Sequence, residues 1–325
     1  MKSIKWGMIG CGNVTEVKSG PAFNKVPNSS LVAVMGRDAV KAKDYADRHG
    51  VPKWYNDVQQ LIDDPDVNAI YIATPPAQHE AYALMAFAAG KPVYVEKPMT
   101  LNAASAIRMK TASLEKGIKL CVAHYRRAQP LFLKVKALLE DQEIGAVRLV
   151  QLKMFQPQDP NILSSAKRNW RLDPAISGGG LFHDLAPHQL DLMVFFFGEW
   201  ISAAGIALNQ SQTSLADDLV TGQILFKNGT VFNGSWCFSV SEQDKTDEIE
   251  IIGATGKISF QAFGHQIKLI KNGIAKVYDF SPLQHVQQPM IEQVTAYFLG
   301  QGENPCSAEQ AILSMELMDR FTAKA

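Results

Sequence analysis

Apolar and polar positions follow two different rhythms along this chain. Up to residue 123, short runs rich in β-branched and aromatic residues (4–10, 30–36, 69–73, 92–96 and 118–123) alternate with helix-like stretches at 38–49, 78–89 and 102–116. Gly50, Gly90 and Gly117 follow these stretches where a helix C-terminus expects glycine. Strand, helix and strand at this spacing predict right-handed crossovers and a doubly wound parallel sheet covered on both faces. Ligands of such sheets bind beyond the carboxyl ends of the strands.

After residue 123 the rhythm changes. Runs at 146–155, 201–209, 219–227, 230–239, 248–253, 257–261, 266–271 and 274–280 read as strands, and Asn228-Gly229 and Asn272-Gly273 as two-residue hairpin turns. Helices are expected near 185–197, 290–299 and 308–321. The α/β architecture therefore continues in a second domain with a large, mostly antiparallel open sheet, and the boundary falls between 1–123 and 124–325. A two-residue turn at Asn228-Gly229 sets Lys227 opposite Thr230. One face then carries Leu219, Thr221, Gln223, Leu225, Phe232, Gly234, Trp236 and Phe238; the other carries Val220, Gly222, Ile224, Phe226, Val231, Asn233, Ser235 and Cys237. The second face is semi-apolar and uncharged, and this half has too few helices to cover it. A second copy of the chain is its expected cover, giving a homodimer or a homotetramer.

Composition narrows the classes. A length of 325 residues suits two domains at about 150 residues each. Lys plus Arg and Asp plus Glu are both 32, so the formal charge is zero and no basic stripe for nucleic acid is expected. Cys11, Cys121, Cys237 and Cys306 are scattered, which predicts neither a disulfide framework nor a metal site and suits a reducing cytoplasm. The apolar stretches at 81–90 and 192–197 are too short to span a bilayer. The N-terminus reaches Gly7, Gly10 and Gly12 before any secretory core develops.

Candidate chemistry begins at the first strand-to-helix turn, Gly10-Cys11-Gly12-Asn13-Val14-Thr15. Two glycines permit a tight turn and let a pyrophosphate approach the backbone of Gly10, Gly12, Asn13 and Val14, at a helix N-terminus that favours negative charge. Thr15 stands where the third glycine of G-x-G-x-x-G belongs, so the fingerprint is incomplete. The second strand ends Gly36-Arg37-Asp38. Arg37 suits a 2′-phosphate and favours NADP over NAD. Alternatively Arg37 is a solvated charge and Asp38 a helix cap, and Asp38 remains able to hold a ribose hydroxyl.

Two further constellations stand out. Glu96-Lys97-Pro98 lies at a strand's carboxyl edge. Trp170-Arg171 precedes Gly178-Gly179-Gly180 and then Asp184, His188 and Asp191. Asp184 and His188 share one helix face, or Asp184 lies just ahead of the helix because Pro187 suits a first turn. The order of GCGN at 10–13, ATPP-x-x-H at 73–79, EKP at 96–98, WR at 170–171, GGG at 178–180 and D-x-x-x-H-x-x-D at 184–191 resembles the Gfo/Idh/MocA oxidoreductases over nearly the whole chain. The resemblance implies an N-terminal Rossmann domain, an NADP or NAD cofactor, and a catalytic Lys, Asp and His at Lys97, Asp184 and His188. It implies cofactor contacts at Thr74, Pro75, His79, Glu96, Lys97, Trp170 and Arg171. Thr15, and Ala186 where many members carry glycine, depart from the family pattern without removing a catalytic group.

The expected reaction is hydride transfer between nicotinamide and a carbon of a small sugar, polyol or related diol. His188 or Lys97 would carry the proton and Asp184 would hold the substrate or orient the cations. Tyr125 and Arg126 are expected to line the substrate site, with His124 equally suited to loop packing. A dinucleotide-sensing regulator on the same fold is the rival reading; it would need neither Lys97, Asp184 nor His188. A zinc-dependent dehydrogenase lacks ligands at metal spacing.

Overall fold

The computed structural model describes residues 2–158 and 170–323. The chain divides into two compact units, Met1–Gln129 with Leu283–Ile312, and Pro130–Pro282 with Leu313–Ala325. The single boundary expected at 123 thus becomes a chain that leaves the first unit after 129 and returns to it for 283–312.

In the first unit, β1 (Ile4–Ile9), β2 (Ser29–Met35), β3 (Lys53–Tyr55), β4 (Ala69–Ile72), β5 (Val93–Val95) and β6 (Leu120–Val122) form one sheet in the order β3-β2-β1-β4-β5-β6. Every pairing in it is parallel. β4, β5 and β6 are buried along their whole length, which is why they read as unbroken apolar runs. Asp38 and Asn102 cap the helices Ala39–His49 and Ala103–Lys116, and Gly50 and Gly117 end them in left-handed conformation. Trp6 anchors the core against Phe23, Tyr94 and Phe298. Phe298 belongs to the returning helix Gln288–Leu299, so late sequence completes the early domain.

The second unit holds β7 (Val147–Pro157), β8 (Trp200–Leu208), β9 (Leu219–Phe226), β10 (Val231–Val240), β11 (Thr246–Gly253), β12 (Gly256–Phe260), β13 (Gln266–Lys271) and β14 (Ile274–Asp279). Their order is β14-β13-β12-β11-β7-β10-β9-β8, antiparallel except for the β7–β10 pair. One face is covered by helices of the same unit. Phe182, on the helix Leu181–Phe197, meets the Trp236 ring edge-on at 5.2 Å. Phe321, on the helix Ala308–Thr322, lies where a Cβ on Gly222 would come within 2.3 Å of its ring.

The two Asn-Gly hairpins fold differently. At Asn272-Gly273 both residues have positive φ (53° and 78°) and Lys271 pairs with Ile274, as a two-residue turn requires. At Asn228-Gly229 only Gly229 turns positive, at 86°, and Leu225 pairs with Val231. Asn228 Oδ1 accepts the Thr230 N–H at 3.0 Å and the Lys227 N–H goes to Glu199 O at 2.9 Å, so Lys227 and Thr230 cannot pair. The expected register is corrected by one residue, which exchanges the two faces of β9. Val220, Gly222, Ile224 and Phe226 are buried beside Phe232, Gly234 and Trp236, while Leu219, Thr221, Gln223 and Leu225 join Val231, Asn233, Ser235 and Cys237 on the open face.

The register makes a direct prediction. Ile224→Lys, which forces a charge into a site 1% exposed, should cost more than about 3 kcal/mol in urea unfolding. Leu225→Lys, next along the strand and 37% exposed, should cost far less than Ile224→Lys. Equal losses would contradict the register.

Candidate functional site

The first unit reverses its strand order between β1 and β4, and the segments following both strands meet there. Gly10 adopts φ +113°, and a Cβ on it would lie 2.7 Å from Ala73 O, so only glycine permits this approach. Gly12 is exposed; among the described residues nothing lies within 4 Å of a Cβ position, and no side chain caps the helix Asn13–Val17 that it starts. Thr15 is fully buried and closes the turn: its N–H and Oγ1 both donate to Gly12 O, at 3.0 and 2.8 Å. The tight packing expected of a third glycine falls instead on Gly20, where a Cβ would sit 2.0 Å from Tyr45 Oη. Tyr45 Oη in turn donates to Thr15 O at 2.8 Å. Arg48 and His49 clasp Glu16, and the Arg48 guanidinium holds the Glu16 carboxyl down at about 2. Burial pushes the Cys11 thiol up to about 12, which removes it as a nucleophile at neutral pH.

At the end of β2, Asp38 Oδ1 accepts from Val40 and Lys41 N–H at 3.0 and 3.2 Å. Asp38 is therefore a helix cap. Arg37 is exposed, and its guanidinium makes no hydrogen bond or ion pair among the described residues. After β4, Thr74 and Pro75 are half-buried, and Thr74 Oγ1 is buried without a partner among the described residues. His79, expected at the cofactor, is instead a fully buried strut. Its Nε2 lies 2.7 Å from Thr74 O, and its Nδ1 lies 3.1 and 3.3 Å from Pro98 O and Met99 O. Burial lowers its proton affinity, against the pull of the three carbonyls.

Glu96, Lys97 and cis-Pro98 follow β5 directly. Glu96 is also directed inward, accepting from Tyr71 Oη and Gln287 Nε2 at 2.6 Å each and from Lys97 N–H at 3.2 Å. Lys97 itself is half-buried. Next along the sheet, after β6, lie His124, Tyr125 and Arg126, all buried, with the Arg126 guanidinium 5.6 Å from the Tyr125 ring centre.

In the second unit the helix Leu181–Phe197 begins before Asp184 and carries Pro187 in its interior, so Asp184 is not ahead of it. Asp184 and His188 are one turn apart on one face. Arg171 Nε donates to Asp184 Oδ2 at 3.1 Å, and its guanidinium lies 4.6 Å from the Trp170 ring centre. His188 is 5% exposed and meets the half-exposed ring of Phe263 edge-on at 5.7 Å. Asp247 holds that loop by accepting the N–H groups of Ala262 and Phe263 at 2.9 and 2.8 Å. The three glycines serve packing. Gly178 ends a short helix at φ +95°, Gly179 lies against the His183 ring, and Gly180 has φ +81° against Ala216. His183, which burial lowers to about 4, is neutral there.

Comparison with known proteins decides the family. A model described as an oxidoreductase family with NAD-binding Rossmann fold matches residues 4–124, and the GFO/IDH/MocA C-terminal domain matches 132–259. The chain belongs to the GFO/IDH/MocA oxidoreductases. It is 48% identical over 318 residues to Oxidoreductase P35 of Formosa agariphila, covering 98% of each chain. It is 31% identical over 260 residues to trans-1,2-dihydrobenzene-1,2-diol dehydrogenase of Bos taurus, covering 78% of this chain and 73% of that one. A levoglucosan dehydrogenase solved with NADH and levoglucosan superposes with a TM-score of 0.85 at 21% identity, covering 98% and 96% of the chains. An Agrobacterium radiobacter oxidoreductase solved with NAD+, L-tartaric acid and magnesium gives 0.86 at 21%, covering 98% and 94%. At such identities the two structures establish the fold alone.

As a GFO/IDH/MocA member the chain is a nicotinamide-dependent oxidoreductase, and the first unit fits a dinucleotide. The open backbone at Gly12, the uncapped helix start and the orphaned Thr74 Oγ1 border the β1–β4 crevice. Sequence reasoning missed Gly20, Tyr71 and Gln287. A Ser-Gly-Pro run at 19–21 was the visible trace of Gly20, whereas Gln287 is remote in sequence and left no local signal.

Proposed function

We propose that this enzyme moves a hydride between NADP and a secondary-alcohol carbon of a cyclic sugar, polyol or diol. The observation that carries it is Lys97 at the carboxyl end of β5, in a strand order whose ligands bind at that edge. Bound nicotinamide supplies the hydride chemistry. Lys97 is assigned to the reacting oxygen, His188 to proton exchange, and Asp184, steadied by Arg171, to holding the substrate. The half-exposed Phe263 beside His188 supports a substrate with an apolar carbon face. The names of the relatives agree, since one acts on a dihydrodiol and a neighbour binds levoglucosan.

Lys97→Ala and His188→Ala should each lower turnover by at least about two orders of magnitude on a panel of cyclic diols and aldoses. Dinucleotide affinity by fluorescence titration should hardly change. Normal turnover in either variant would sink the assignment, and dinucleotide binding without turnover in the parent would favour a sensor.

Arg37, exposed and without a partner among the described residues, supports NADP, and Gly36 places no carboxylate against a 2′-phosphate. Arg37→Ala should weaken NADP roughly ten- to a hundredfold through lost charge-assisted hydrogen bonds. NAD affinity should stay nearly constant; equal losses for both cofactors would refute the 2′-phosphate role.

We also infer that a second copy covers the open sheet face. Rows Leu225–Val231–Leu149–Ile252 and Leu208–Leu219–Cys237–Phe155 cross the strands there, flanking Thr221, Gln223, Asn233, Ser235 and Gln151, with Lys153 beside Ser235. Two apolar rows about a polar centre suit a two-fold axis. Light scattering at micromolar concentration should give a mass above the 35.7 kDa chain, and Leu225→Lys should lower it; a parent at monomer mass would overturn the inference.

A further inference from the structure

The reaction scheme leaves the buried carboxylate next to Lys97 without a task. Glu96 is 4% exposed, and its donors come from two distant segments: Tyr71 from β4, and Gln287, itself 0% exposed, from the turn before the helix Gln288–Leu299. Both donate to Oε1, at 2.6 Å. Oε2 accepts the backbone N–H of Lys97 at 3.2 Å. On the far side of the lysine, the carbonyls of Pro98 and Met99 face the His79 ring.

We propose that Glu96 is a positioning residue for Lys97, locked by Tyr71 and Gln287 so that its second oxygen fixes the lysine's backbone. This rests on Lys97 as the group at the reacting oxygen. A misplacement of about 1 Å at such a group suffices for a hundredfold loss of rate, so a carboxylate that never touches substrate still governs turnover. Glu96 is then no cofactor ligand.

The geometry dictates the informative variant. In Glu96→Gln the single amide oxygen stays with its two donors, Tyr71 and Gln287, and the amide NH2 turns toward the Lys97 N–H. Donor then faces donor, and only the bond to the lysine backbone is lost. Expected is at least a tenfold fall in kcat, with dinucleotide Kd by fluorescence within about threefold of the parent and KM for the alcohol little changed. Gln287→Met, which keeps the volume and removes one donor, should shift kcat in the same direction by less; it also serves if Glu96→Gln folds poorly.

A double-mutant cycle with Lys97→Ala, read as single-turnover rate, decides the matter. Glu96→Gln should cost nothing further once Lys97 is alanine, whereas a general packing role would cost the same factor in both backgrounds and overturn the proposal. A loss of dinucleotide affinity as large as the loss of kcat would overturn it too, and return Glu96 to the cofactor. Failure of the underlying reading looks different: Lys97→Ala alone would then turn over normally.

Discussion

The first unit depends on a carboxylate almost wholly shielded from water. Glu96 brings together β4 through Tyr71, the end of β5 through Lys97, and the returning chain through Gln287. A buried carboxylate deprived of donors costs several kcal/mol, so these segments are not free to drift independently. This also explains the division of the chain. The segment 283–312 belongs with the early domain because Gln287 donates to Glu96 and Phe298 packs on Trp6. His79 adds a second internal tie, joining the loop after β4 to the loop after Lys97 through backbone carbonyls alone.

In the second unit the governing constraint is register. Side chains alternate across a strand, so one residue added to a turn reverses which side of β9 meets the helices. The reversal follows from two local competitors for the turn's hydrogen bonds, the Asn228 carboxamide and the Glu199 carbonyl. It places Ile224 and Phe226 in the core, where glycines at 205 and 222 leave room for Phe321. The open face receives the more polar set. That face remains uncharged across β8, β9 and β10, and picks up charge at Lys153, Glu248, Glu250, Lys257 and Lys268 further along the sheet.

Most strands were legible from residues alone because both signals they use are local. β4, β5 and β6 declared themselves as buried runs, and β13 and β14 as alternation about an Asn-Gly turn. β3, only three residues long, offered too few positions for a period, and the helices Val58–Asp63 and Pro130–Glu140 went unread. The helix carrying Asp184 starts at Leu181 rather than near 185, and the first turn that suits a proline is not where Pro187 lies. It sits inside the helix instead, leaving the His183 carbonyl without its usual intrahelical donor. Among the candidate residues, Lys97, Arg37 and the glycine loop stand at strand ends as their motifs suggested. Asp38 takes the helix cap that the sequence offered, whereas His79 and Glu96 did not reveal their inward partners, since sequence shows which side chains can donate or accept but not which neighbour arrives first.

The glycine run at 178–180 shows how a motif that accompanies function can owe its glycines to packing. Each position has its own steric reason: Gly178 leaves a helix with φ +95°, Gly179 admits the His183 ring within 2.2 Å of a Cβ position, and Gly180 enters the next helix at φ +81° against Ala216. The next helix is the one that sets Asp184 and His188 one turn apart. A side chain at 179 would displace His183, the residue immediately before Asp184. It would thereby tilt the first turn on which the Arg171–Asp184 pair is built. The glycines are therefore tied to the chemistry through helix geometry, by fixing where the helix starts and how closely its first turn packs.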